Sequence, residues 1–483
     1  MHVLDFTRLT AAGTGYQVLV GDARSHRFRI AEDLYDSLAH DAVGLFYLLR
    51  SGCPIDEQRA HGYGRPAGHT GVPPNQGDTA LPRGADARPN ECIQDGHRQA
   101  ASTYRGLAAA QPPRFAPARA CPPRSRVRLG LLEDCRWQLH WLLRMQVPRG
   151  QPLAGMAFHR VHGTVWSPMP GWAHLDPTVR VLHRSSTAAT LHLSAVAAQA
   201  ARLVRDIDRG FADRLLTAAR TAHQAAYAHP NVIAPDDEGR FGGGPYSDSQ
   251  LGDDFYWAAS ELWLATGDDR FHTEMLNLAQ HAANAFENDG FDFDRVAALA
   301  QLDLAPAGGR LPDHDRVVES VRQGAQRLLR LQWGQPWGQP YAPPDGWAWG
   351  SNGRILNNLV VLATAAQITG DSSFRDGVVT GIDYLLGRNA LGQSYICGYC
   401  TDATAHLRTR QFGRDLDPAL PPPRPGALAG GASSTDTPGF PSDPRLRDLP
   451  PQCCYLDEPT SETTNDICIR WNAPLATSPP TSA

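Results

Sequence analysis

The chain has 483 residues, 42% of them hydrophobic and 20% charged, with a net charge of −5. That length suits about three domains of ordinary size, or one large helical domain with an appendage. The acidic balance gives no electrostatic footprint for nucleic acid, and no run of about 18 apolar residues reads as a membrane span.

All 45 basic residues are Arg, which reads as the coding bias of a GC-rich genome and not as a binding device. The first ten residues, MHVLDFTRLT, show no basic region followed by an apolar stretch, so no signal peptide is read there. Residues 1–33 read as β: Tyr16, Val18 and Val20 alternate, Gly21-Asp22 turns the chain, and Phe28 and Ile30 alternate with arginines. Two or three strands cannot form a stable unit by themselves.

Helical periodicity follows. Leu38, Ala42, Leu45 and Leu49 form one stripe and Cys135, Leu139, Leu142 and Leu143 another. A third runs through Phe255, Ala258, Ala259 and Leu262, and a fourth through Ile355, Leu359, Leu362 and Ala366. Further helices are expected near 187–204, 210–228, 271–287, 314–331 and 373–386. Thr266-Gly267-Asp268 and Thr369-Gly370-Asp371 repeat one junction, a left-handed Gly ending a helix and an Asp capping the next. That repetition argues for stacked helical hairpins. Residues 79–128 lack an apolar period and read as loop or poorly ordered chain. The stretches 333–350 and 411–454 also read as loop, and long loops in a compact helical domain are usually functional.

The nine cysteines are too few for a disulfide scaffold at this length. Cys397 and Cys400, with Cys453 and Cys454, could be drawn as a zinc site, but adjacent cysteines rarely chelate one ion together. Incidental thiols are the simpler reading. Two other segments carry candidate chemistry. Asp457 and Asp466 lie among Tyr455, Asn465, Trp471 and Asn472, a setting that suits sugar chemistry: one acid protonates a leaving oxygen, a base activates water, and aromatic faces bind pyranose rings. The same acids could equally be solvated loop residues. Residues 242–254, GGGPYSDSQLGDD, gather oxygen ligands before a helix. Such a cluster can hold Ca²⁺, or can simply cap the helix.

At these residues the chain resembles bacterial glycoside hydrolase family 9, the cellulases. The similar strings are Arg65–His69 with Asn75–Asp78, Leu142–Pro148, Ser186–Thr190, residues 242–268, WGSNGRILNN from Trp349, DYLLGRNALGQSY from Asp383 and WNAPLA from Trp471. The resemblance implies an all-α (α/α)6 barrel, a toroid over about 34–476, preceded by the last strands of a truncated immunoglobulin-like domain at 1–33 and followed by a tail at 477–483. It implies inverting hydrolysis of the β-1,4 bonds of cellulose or related β-glucans, with no organic cofactor, no nucleic-acid partner and no membrane partner. Secretion follows by family analogy alone.

Carried over residue by residue, the resemblance is uneven. The W-Y-D-A-G-D string that supplies the family's base is absent between Asp78 and Leu132, and Asp95 is only a weak substitute. A shifted reading frame there would explain the loss. Arg410 matches the Arg of the N-P-H-H-R string, both histidines are gone, and His406 is a poor replacement. Asp457 matches an aspartate of the third motif. Asp466 stands where the family has its general-acid Glu, one methylene shorter, and Glu462 stands where an aromatic is expected. Trp349, Tyr395 and Tyr455 are implied to line the cleft with Arg410. Ser249, Asp253, Asp254 and Asp294 are implied to hold a structural Ca²⁺. Two readings stay open: an impaired β-1,4-glucan hydrolase, or a catalytically inactive carbohydrate-binding relative or non-functional frame-shifted product.

Overall fold

The structure is a computed structural model that describes residues 8–31, 33–76, 123–235, 242–244, 246–286, 291–292, 295–307, 309–437 and 441–477. The amino-terminal residues form two small antiparallel pairs. β1 (Gly13–Tyr16) pairs with β4 (Phe28–Ile30), and between them β2 (Leu19–Val20) pairs with β3 (Ala23–Arg24).

Helices then follow in order: α1 (Asp36–Leu49), α2 (Glu57–Ala60), α3 (Pro123–Arg144), α4 (Thr187–Val204), α5 (Arg209–Ala228), α6 (Gly252–Thr266), α7 (Asp269–Asn277), α8 (Ala297–Ala307), α9 (His314–Trp333), α10 (Ser351–Thr369), α11 (Ser372–Leu385), α12 (Glu462–Asn465) and α13 (Ile469–Thr477). Helix α3 begins inside the stretch expected to be loop. The helix expected over 271–287 is shorter than its apolar pattern, ending at Asn277 before a single 3₁₀ turn at Ala279–His281. Four further short strands, β5 (Ala157–Phe158), β6 (Val161–Gly163), β7 (Arg180–Leu182) and β8 (Ser185–Ser186), make a hairpin between α3 and α4.

Packing runs round a ring. α4 packs on α5 and α6, α6 on α7 and α8, α8 on α9 and α10, α10 on α11 and α13, α13 on α1, and α1 on α3, which touches α4. The sequence shows which helices are inside. α4 is buried on nearly every face, from Thr187 through Ala201, an Ala-rich run with no charged residue before Arg202. α5 buries only one stripe, including Phe211, Leu215, Ala219 and Ala222, and turns its arginines outward. The apolar stripes read from the sequence sit in one continuous core.

Both repeated junctions form as expected. Gly267 (φ +67°) and Gly370 (φ +72°) end α6 and α10 in the left-handed region, their N–H groups donating to Trp263 and Ala366 carbonyls. Asp268 and Asp371 then cap α7 and α11 by accepting from the Arg270 and Ser373 N–H groups. The preceding Thr266 and Thr369 hydroxyls accept from those Asp N–H groups at 3.1 and 3.2 Å. Among the described residues, the segments 334–350 and 408–461 contain no α-helix, only irregular turns and short 3₁₀ turns at Pro444–Leu446 and Pro451–Cys453.

Candidate active site

Residues 455–466 are fixed by one buried polar network. The Asp457 carboxylate accepts from Thr404 Oγ1 at 2.6 Å, the Ala405 N–H at 2.9 Å, the His406 N–H at 3.1 Å, Asn465 Nδ2 at 3.1 Å and Gln393 Nε2 at 3.3 Å. Two oxygens offer about four lone-pair sites, so this carboxylate is saturated by donors. Asn465 also donates to the His406 carbonyl at 2.6 Å, and its amide oxygen accepts from Tyr455 Oη at 2.6 Å. Tyr395 is fully buried behind them, edge-on to Tyr455 with ring centroids 4.9 Å apart. Neither tyrosine offers a face to a sugar, which corrects the expectation that they line a cleft. Both rings are core residues that hold this loop pair.

Asp466 follows directly. Its segment is tied on both sides: the Arg408 N–H donates to the Asn465 carbonyl at 2.8 Å, and the Gly430 N–H to the Asp466 carbonyl at 2.9 Å. A parallel bridge joins Arg408 to Asp466. The carboxyl is therefore placed by backbone, with Arg408, Arg410 and Glu462 as its charged neighbours. Burial raises its pKa to about 7. Arg408 and Arg410 pull it down and Glu462 pushes it up. Glu462, where an aromatic was expected, pairs with Arg408 at 2.6 Å, and so blunts the arginine's pull on Asp466. A carboxylic acid that holds its proton near neutrality is what a general acid needs.

Arg410 joins this cluster to the hairpin loop 164–178. Its Nε donates to the Ser167 carbonyl at 3.2 Å, its guanidinium lies 6.0 Å from the Trp166 ring centroid, and its carbonyl accepts from the Gly171 N–H at 2.9 Å. Asp176 pins the loop, accepting from Ser167 Oγ at 2.6 Å and the Thr178 N–H at 2.8 Å. Asn75, from the motif quoted above, donates to the carbonyls of Ala173 and Asp176 at 3.3 and 3.2 Å. His406 is exposed and pairs with Asp415 at 2.8 Å, and that partner raises its pKa. Trp349 is half-buried against Trp471, with centroids 6.2 Å apart, just before Gly350. A Cβ on that glycine (φ +83°) would meet the Trp471 ring at 2.5 Å, so the approach requires Gly. Asp95 lies outside the described residues.

Of the implied Ca²⁺ ligands, Ser249, Asp253 and Asp254 lie among the described residues. Asp254 is fully buried and pairs with His192 Nε2 at 2.5 Å, facing the core. Asp253 accepts from the Val296 N–H at 2.6 Å, joining the α6 start to the segment before α8. Burial, then Asp254, raises its pKa to about 7. Ser249 is exposed, and Asp294 lies outside the described residues. Among the described residues no group of three His, Cys, Asp or Glu side chains is arranged to hold a metal ion, and Cys397, Cys400, Cys453 and Cys454 are free thiols.

Sequence reasoning missed the 157–186 hairpin. His159, His162 and His183 are all buried there, with His183 5.5 and 5.7 Å from the other two rings. Burial and Arg160 hold His159 near pKa 3 and His183 near 4, so both stay neutral. His159 Nδ1 meets Ser186 Oγ at 2.8 Å, the hydroxyl that caps α4. Arg160 donates to the Gly243 and Gly244 carbonyls at 2.9 and 2.6 Å, fastening the glycine-rich loop. The close spacing of His159, Arg160 and His162 beside Phe158 and Val161 was the available signal.

Comparison with known proteins places this site in context. Residues 114–478 match the family model of glycosyl hydrolase family 9. Endoglucanase C of Cellulomonas fimi is 42% identical over 99% of this chain, which covers 46% of that protein. A cellulose 1,4-beta-cellobiosidase of Acetivibrio thermocellus is 33% identical over 99% of the chain and 60% of its own length. This chain thus spans only about half the length of these relatives. Among solved structures, the family 9 endoglucanase J30 superposes with a TM-score of 0.83 at 23% identity, covering 98% of this chain and 89% of that one. A thermostable endoglucanase from Alicyclobacillus acidocaldarius gives 0.81, also at 23% identity, over 98% of this chain and 88% of that one. These likenesses show the fold to be the (α/α)6 barrel. The match over residues 114–478 and the identities of 42% and 33% along nearly the whole chain make this protein a member of glycosyl hydrolase family 9.

Proposed function

We propose that the chain is an inverting hydrolase of β-1,4-glucans in which Asp466 is the general acid, working slowly because its reach is short and its base is weak or missing. The observation that carries this is the Asp466 carboxyl itself. Burial raises its pKa to about 7, its backbone is tied on both sides, and Arg410 links it to an exposed aromatic loop. Asp466 donates its proton to the glycosidic oxygen as the C1–O bond breaks. A water oxygen attacks C1 from the opposite face and sheds its proton to a base or to bulk water, and solvent reprotonates Asp466.

An inverting pair stands about 6.5–9.5 Å apart, leaving room for that water. Among the described residues, the carboxylates near Asp466 and Arg410 are engaged: Glu462 with Arg408, and Asp176 with Ser167 and Thr178. Unassisted water attack costs about 10²–10⁴-fold in rate. Asp457, saturated by donors, is a positioning residue that holds the 404–406 turn and, through Asn465, the acid. The calcium of the wider family has no part in this proposal. The names of the relatives, an endoglucanase and a cellobiosidase, agree with the substrate class. The alignments with them run over 512 and 543 positions, longer than the chain, so each relative carries residues with no counterpart here.

The test is sustained incubation with soluble β-1,4-glucan and, separately, an α-1,4-glucan. Slow release of reducing ends from the β-linked polymer only, lost in Asp466→Asn, is expected. Release that persists in Asp466→Asn would refute the assignment. Binding of β-glucan with no release at all would favour the carbohydrate-binding alternative.

A further inference from the structure

The tetrapeptide Trp-Gly-Gln-Pro occurs twice in succession, at 333–336 and 337–340, and the structure uses the two copies differently. The second is turned inward. Gln339 is fully buried, and its Oε1 accepts from the Tyr341 N–H at 2.6 Å. The Pro340 carbonyl accepts from Asn358 Nδ2 at 2.7 Å, and the Gly338 carbonyl from Gln332 Nε2 at 2.9 Å. The first copy is displayed. Trp333 ends α9 with 69% of its surface accessible, and Gly334 and Pro336 are exposed beside it. Gln335 Oε1 accepts from Gln452 Nε2 at 3.4 Å, which joins this copy to Leu449 and Pro450, both exposed. The patch is neutral as well as apolar: no Asp, Glu, Lys or Arg occurs from Leu331 to Pro344 or from Leu449 to Leu456. It connects to the end of the ring that carries the acid. The loop after Trp333 runs into α10, where the Asn352 N–H donates to the Gly430 carbonyl at 3.0 Å, and Gly430 in turn holds the Asp466 carbonyl.

We infer that this patch is a second polysaccharide-binding surface, separate from the residues that act on the bond, and that it holds a neutral glucan chain through Trp333 and the Gln335 and Gln452 amides. It rests on the β-glucan reading above for the identity of the polymer. The chemistry matches that occupant. A glucosyl ring presents C–H groups on its faces and hydroxyls on its rim. The indole takes the faces, and the side-chain amides both donate to and accept from hydroxyls. A nucleic acid or an acidic polysaccharide would call for cations, and the patch supplies none. A second copy of this chain would need about 20–30 residues a side for a stable interface, far more than these. The surface is also rigid. Gln332, next to Trp333, is buried and ties the Gly338 and Gly377 carbonyls at 2.9 and 2.8 Å, so little ordering is needed when the polymer arrives.

The test measures adsorption to phosphoric-acid-swollen cellulose by depletion from solution, in the Asp466→Asn background so that no hydrolysis intervenes. Trp333→Ala should weaken adsorption about tenfold, some 1.4 kcal/mol. Trp333→Tyr should recover most of it. With Asp466 intact, Trp333→Ala should leave kcat/KM on soluble cellotetraose within about twofold, because the patch touches none of the reacting atoms. Tyr227→Ala, which removes an aromatic ring 48% exposed on α5, is the control and should adsorb as the parent does. Equal adsorption with and without Trp333, in protein of unchanged circular dichroism, would overturn the proposal and leave the catalytic reading intact. A dimer in sedimentation that Trp333→Ala dissociates, with adsorption unchanged, would give the patch to a second copy and overturn it too. Adsorption that depends on Trp333 in a protein whose wild type hydrolyses no β-glucan would sink the catalytic reading and support this one.

Discussion

If Asp466 is the general acid, as proposed, lengthening it should speed hydrolysis. Asp466→Glu adds one methylene, moving the carboxyl outward by about 1 Å or more while the backbone stays pinned by the Arg408–Asn465 and Gly430–Asp466 hydrogen bonds. A misplacement on that scale costs about 100-fold, or roughly 2.7 kcal/mol of transition-state stabilisation. Restoring the reach should recover much of it. Part of the gain is offset, because the longer side chain leaves the burial that raises the Asp466 pKa and sits nearer to Arg408 and Arg410, both of which lower it. The net expectation is a rise of about 10–100-fold in kcat/KM on soluble β-1,4-glucan. The optimum should move toward lower pH. The assay is reducing-end release across a pH series, run beside Asp466→Asn. A rate that is unchanged or lower in Asp466→Glu, in folded protein, would refute the argument that acid placement limits turnover.

Further expectations follow from the same geometry. Wild-type activity should fall as pH rises past about 7, because the acid is useful only while protonated. Arg408→Ala removes the foremost charge that lowers the Asp466 pKa and frees Glu462 to raise it, so the alkaline limb should move up by about half a pH unit or more. Asp457→Ala removes the acceptor shared by five donors, of which Thr404 and Asn465 keep other partners, and should lower unfolding free energy in urea by on the order of 3 kcal/mol, with activity falling alongside. Glu261 is fully buried between α4 and α6, bonded to Gln199 and Arg202, with burial and then Asp303 raising its pKa well above the usual range. A raised folded pKa costs nothing below the unfolded value of about 4.3 and costs progressively more as pH rises above it. The Tm difference between Glu261→Gln and wild type should therefore become more favourable to the variant from pH 4 to pH 8. A difference independent of pH would contradict the buried-acid account.

The helical frame was legible because its signals are local. The stripe from Leu38 to Leu49, the Thr-Gly-Asp junctions and the helix expected near 187–204 are each specified within a few turns. Asn465-Asp466 could be singled out as a candidate for a similar reason, since it sits in a short string next to α13. What the sequence could not show was which way side chains face at long range. Tyr395 and Tyr455 resemble cleft residues by motif, yet a T-shaped ring contact and the Thr404–Asn465 network bury both. Asp254 resembles a metal ligand by spacing, but its partner His192 is supplied by α4, 62 residues away in sequence and invisible to a local pattern. Trp166 was overlooked because a Trp in a Pro-rich loop carries no period, even with Trp172 beside it. Only its contact with Arg410 across 244 residues of chain gives it meaning.

Following hydrolysis of cellopentaose by ¹H NMR of the anomeric region, in wild type and Asp466→Asn side by side, tests the central claim most directly. The account predicts a slow wild-type reaction whose first product signal is the α-anomer, the mark of a single displacement at C1, and no signal above background from Asp466→Asn. Initial release of the β-anomer, or equal release by the two proteins, would contradict it.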